Sequence, residues 1–114
     1  MNEINVSKFT LKSGKEIYFR EPSIGDTEEA AKIVGKKASP DNQIHTGILL
    51  QKEMLKRLLV KIADHELSMI EKETLDNFLT FKEYNQALKA VRLVLGEDEG
   101  NETMTPEFVT IGGK

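Results

Sequence analysis

The sequence predicts an α+β fold that is mostly helical: an N-terminal β-hairpin packed on a bundle of about four helices, followed by a flexible acidic C-terminal tail. Three observations carry this expectation. Apolar and polar residues alternate through residues 6–19, helical spacing of apolar residues runs through 43–63 and 81–95, and the chain turns polar and acidic after Gly96. With 114 residues, one domain is expected. Its bounds are drawn at residues 1–96, with 97–114 as the tail.

The hairpin is expected over residues 6–11 and 16–20. Val6, Lys8 and Thr10 alternate with Ser7, Phe9 and Leu11, and Ile17 and Phe19 point one way on the second arm. Ser13-Gly14 supplies the turn, where glycine accepts positive φ. A lone hairpin is marginal in water, so this one must lie on apolar surface. In "REPSIGD" (residues 20–26), Pro22 stops the strand because it lacks an N–H, and Gly25 lets the chain turn. Asp26 is expected to cap a short helix over residues 27–37, with Glu29 as its reciprocal partner. Ala30, Ala31, Ile33 and Val34 give that helix a small apolar face.

A polar connector around Pro40 leads to the longest helical pattern, residues 43–63. Ile44, Ile48, Leu55, Leu58, Leu59 and Ile62 form one stripe at helical spacing. Leu49 and Val60 fall on the opposite side, so a central helix with two apolar strips is expected. Ser68 is expected to cap a short helix running from Glu71 to Phe78. Thr80-Phe81-Lys82-Glu83 reads as a capping box opening a helix over residues 81–95, with Gly96 as its C-terminal glycine. Its apolar face is Phe81, Tyr84, Ala87, Leu88, Val91, Val94 and Leu95.

Sixteen Lys+Arg against 19 Asp+Glu leave a net charge of −3, which gives no general attraction to nucleic acid or anionic lipid. Residues 97–114 carry five acids and one base, so the tail holds −4 and residues 1–96 hold +1. There is no cysteine, hence no disulfide and no thiolate chemistry. The first ten residues are mixed polar and no apolar run approaches a membrane span, so a soluble cytoplasmic protein is expected. No nucleophile or base stands in a spacing that names a reaction, and no enzyme, cofactor or metal is expected. His45 and His65 lack a spaced ligand pattern, and Gly112-Gly113-Lys114 lacks the following helix of a phosphate loop. Lys52, Lys56, Arg57 and Lys61 form a basic cluster without aromatic platforms, read as a solvated face or a receiver for an acidic partner such as another copy's tail. The candidate partner-binding residues are Leu49, Lys56 and Val60 on the long helix and Phe108, Val109 and Ile111 in the tail. For the tail island two readings stand: docking on a partner, or an end strand pairing with the hairpin.

The order of these elements resembles the tail assembly chaperones of long-tailed bacteriophages and prophages. A hairpin runs into "REPSIGD", "LLQKEMLKRLLVKI" follows, and "LDNFLTFKEYNQALKAV" comes last; in that family an "REP…GD" stretch opens the first helix and an "LT…(D/E)(Y/F)" stretch opens the last. The likeness covers residues 9–95. The family's usual glycine in the link is replaced here by Asp64-His65-Glu66-Leu67. The resemblance implies binding to the tape measure protein, a long hydrophobic helical chain kept soluble while the tube polymerises. It also implies recruitment of tail tube protein, residence in the cytoplasm of the bacterial host and absence from the mature virion. A homo-oligomer and a frameshifted longer form are the further partners it implies; Gly113-Lys114 is compatible with a slippery GGGAAAG heptamer. A structural connector or small regulatory binding module is the alternative expectation.

Overall fold

The computed structural model describes residues 3–37, 43–96 and 106–112. The hairpin forms as expected from β1 (Glu3–Thr10) and β2 (Glu16–Arg20). Gly14 takes φ 93° in its turn, a conformation that a Cβ disfavours. Helices α1 (Ile24–Lys37), α2 (Gln43–Leu58) and α3 (Phe81–Val94) follow, with a 3-10 helix at Glu71–Asn77. The remaining strands are β3 (Leu59–Ile62), β4 (His65–Glu66) and β5 (Glu107–Gly112). They join the hairpin in one antiparallel five-stranded sheet of order β4-β3-β2-β1-β5.

The expected bundle of about four helices therefore does not form: among the described residues, three α-helices cover one sheet. The first cause is at residues 59–66. The long helix stops at Leu58, and the residues read as its last turn pair with β2, Ile62 against Ile17 and Leu59 against Phe19. An ordinary strand would turn Leu59 and Ile62 to opposite faces. The β-bulge on β3 at Val60 adds one residue, so both reach the covered face. Spacing i, i+3 thus suits a helix and a bulged strand equally. Val60 is on the sheet, and the predicted second helical strip of Leu49 and Val60 does not exist. The second cause is at residues 71–77, where Thr74 (φ −126°, ψ 49°) interrupts any helix and leaves 3-10 turns.

The flexible tail is also corrected. Phe108, Val109 and Ile111 lie in β5 opposite Ser7, Val6 and Ile4 of β1. The Thr110 hydroxyl donates to Asn5 Oδ1 at 3.0 Å, and Lys8 pairs with Glu107 at 3.5 Å. The end-strand reading is the one that holds, because β1 would otherwise keep an open edge beside β-branched residues able to fill it. The connector around Pro40, residues 97–105 and residues 113–114 lie outside the described residues.

Phe9, Ile17, Phe19, Leu59 and Ile62 from the sheet meet Leu55 and Leu58 of α2 and Ala87, Ala90 and Val91 of α3 in one core. Phe9 and Phe19 pack edge to face with centroids 5.8 Å apart. On the other face Lys8 pairs with Glu16 at 3.2 Å, and the Lys61 ammonium lies 5.1 Å from the centre of the Tyr18 ring. This alternation turns the core side chains to one face and Lys8, Glu16, Tyr18 and Lys61 to the other.

Candidate functional site

α1, the 3-10 helix and α3 begin in the same way: a Ser or Thr and an acid three residues later exchange hydrogen bonds, satisfying N–H groups that a helix start leaves bare. At α1 the cap is Ser23, not Asp26 as the sequence suggested. The Ser23 N–H donates to Asp26 Oδ2 at 2.9 Å and the Asp26 N–H to Ser23 Oγ at 3.2 Å. Ser68 and Glu71 do the same before the 3-10 helix, at 2.9 and 3.2 Å. Thr80 and Glu83 form the expected box at α3.

Each acid also binds a group from the sheet. Arg20, at the end of β2, donates twice to Asp26, both at 2.7 Å. That pairing, first, and the Ser23 bonds hold the Asp26 carboxyl far below its ordinary range despite burial. Arg57 Nε stands 3.6 Å from the same carboxylate, an ion pair too long for a hydrogen bond. Ser13 and Lys15 of the hairpin turn bind Glu83 at 2.6 and 3.0 Å. The Ser13 hydroxyl, the Thr80 N–H and Lys15 lower its pKa to about 2. His65 of β4 contacts Glu71 at 2.7 Å and stacks on Phe78. "REPSIGD" thus has a physical role: it carries both ends of the clamp between β2 and α1.

Between α1, α2, the 3-10 helix and the start of α3 lies an open groove of about 730 Å³. Val34 and Leu49 come from α1 and α2, Phe81 and Tyr84 from α3, and the nearly covered Leu75 and Leu79 lie at its base. Phe81 is 81% exposed, so its ring is not on the core face assigned from sequence. Burial raises the Tyr84 pKa.

The groove's charges differ in how they are met. Lys56 is 3.4 Å from Glu53 and 3.3 Å from Glu73. Burial opposes its charge, and the two carboxylates outweigh burial to raise its pKa. Lys72 contacts only the Arg57 carbonyl, at 3.4 Å, and has no carboxylate within ion-pair distance among the described residues. Burial, and then Arg20 and Arg57, lower its pKa.

Of the predicted partner-binding residues, the groove brings together Leu49 and Lys56. Val60 lies on β3 and Phe108, Val109 and Ile111 on β5, away from it. The predicted basic cluster is dispersed: Arg57 faces Asp26, Lys61 faces Tyr18, and Lys52 and Lys56 border the groove. Among the described residues no group of three His, Asp or Glu could hold a metal, and no helix is long and apolar enough to cross a membrane. Sequence reading missed Phe81 and Lys72. Phe81 looked like core by its spacing, and Lys72 gave no signal, because its surroundings come from Arg20 and Arg57. No protein-family model, curated protein or solved structure matches the chain.

Proposed function

We propose that this protein is a non-enzymatic tail assembly chaperone of a long-tailed phage or prophage, acting in the host cytoplasm. In this reading it holds the tape measure protein in solution and helps recruit tail tube subunits. The resemblance of "REPSIGD" and "LDNFLTFKEY" to that family motivates the reading. The observation that carries it is the groove, which offers Leu49, Tyr84 and an exposed Phe81 within a charged border. A tape measure chain is a run of apolar helices, and an amphipathic helix lays its apolar face into such a groove. Several copies along one long client would add avidity without any single tight site.

The test is co-expression with a fragment of the tape measure protein encoded beside it. The fragment should stay soluble and co-purify with the wild-type chain, and Leu49→Lys should release it. A fragment that precipitates equally with and without the protein would overturn the reading. A structural connector is the second reading. It is favoured by β5, an outer strand of the sheet whose Phe108 is 80% exposed, a geometry suited to strand addition. In that case Phe108→Lys would abolish assembly while Leu49→Lys would not.

A further inference from the structure

We infer that the groove is a receptor for an acidic amphipathic helix, with the Lys72 ammonium donating to a partner carboxylate beside the helix's apolar stripe. The inference rests on the groove being the client site and adds the chemistry that site selects.

Charge complementarity selects the partner. Three lysines, Lys52, Lys56 and Lys72, and two glutamates, Glu53 and Glu73, border the groove. Both glutamates are committed to Lys56. Lys72 is half-buried, so its charge is partly stripped of water, yet its nearest protein acceptor is a carbonyl at 3.4 Å. Asp26, the carboxylate whose charge favours the Lys72 ammonium, is already gripped by Arg20 at 2.7 Å and faced by Arg57 at 3.6 Å. Arg20, Arg57 and Lys72 thus share one anion. A cation held there without a counter-charge is costly in the free protein, and an incoming carboxylate removes that cost. An incoming cation at this point would meet the Lys72 ammonium, which neither groove glutamate offsets. The apolar wall of the groove fixes where the helix lies, and Lys72 fixes which flank must be acidic.

The probe is a fluorescein-labelled, 18-residue designed helix (about 27 Å long) with leucines at i, i+3, i+4 and i+7. One residue beside the stripe is Glu, Gln or Lys. Anisotropy titration against the full chain should rank Glu over Gln by about tenfold, with Lys weaker again. Lys72→Met should erase the Glu preference and Lys72→Glu should invert it. Leu49→Lys should weaken all three peptides alike. Thermal melts of each variant exclude misfolding as the cause. Equal binding of the three peptides, a Glu preference that survives Lys72→Met, or no binding at all would overturn the inference. The two layers separate cleanly. If wild-type and Lys72→Met retain a tape measure fragment equally, the chaperone reading stands and the Lys72–carboxylate contact falls. If Lys72 selects the Glu peptide but no fragment is retained, that contact stands and the chaperone reading falls.

Discussion

The entrances of α1 and α3 and the groove between them use the same kinds of residue in opposite ways. At the entrances every carboxylate is saturated. Asp26 receives Arg20 twice and Ser23 twice, and Glu83 receives Ser13, Lys15 and the Thr80 N–H. In the groove the matching is partial: Lys56 has two partners, Lys72 has a backbone carbonyl, and Phe81 faces water. Saturated charge at a helix start fixes the helix to the sheet, because losing the cation from β2 or the hairpin turn leaves a nearly buried carboxylate short of its partner. Unsaturated charge beside apolar surface is stability forgone in the free chain and recoverable on binding. The difference separates residues that hold this fold from those available to a partner.

The largest effect should come from Asp26→Ala, which removes the cap partner and leaves Arg20 and Arg57 without their anion. A loss of about 3 kcal/mol is expected, read from urea melts. A loss below about 0.5 kcal/mol would put Asp26 with ordinary surface residues and dissolve the comparison. Glu83→Ala should cost less, about 2 kcal/mol, because Lys15 keeps its bond to the Phe78 carbonyl at 2.7 Å. Asp26→Ala and Glu83→Ala together should be close to additive, since the two clamps share no partner.

Acid should destabilise the chain through the entrances. Both carboxyls titrate below their ordinary values of 3.8 and 4.5. A depressed folded pKa contributes stability above the ordinary value and loses it as pH falls through the folded one. Stability should therefore decline as pH falls from 4.5 toward about 2, the interval set by Glu83. Asp26→Asn with Glu83→Gln should be less stable at neutral pH and flatter across that interval. An unchanged slope in the double variant would place the acid sensitivity elsewhere. The smallest effect on stability should be that of Leu49→Lys in the groove, within about 0.5 kcal/mol, although it should release a bound helix. A cooperative loss of structure there would make the groove part of the core.

Much of the chain was legible because it depends on neighbours in sequence. The hairpin with Gly14 at its turn, the Thr80–Glu83 box and Gly96 (φ 88°) closing α3 were all readable within a few residues. Capping and turn geometry are local, so residue type and spacing suffice. At "REPSIGD" the helix start was readable but its cap was not. Ser23 and Asp26 each suit the position, and the choice falls to Ser23 because Asp26 is held as the third residue of the box by Arg20 from β2.

Residue order alone therefore determined the local punctuation: where the chain turns, and which short stretches start and stop helices. Tertiary structure decided the rest. Leu58-Leu59 contains no breaker, and α2 ends there because β2 offers Ile17 and Phe19 an open edge that Leu59 and Ile62 can cover only as a bulged strand. Val109 and Ile111 are β-prone anywhere, yet they form β5 because β1, about a hundred residues earlier, presents Val6 and Ile4 in register. The groove exists only where four separate segments meet. Lys72 is half-buried there, and Arg20 and Arg57 from other elements disfavour its charge while both engage Asp26. Strand pairing and charge sharing are properties of groups distant in sequence, and only the fold brings them together.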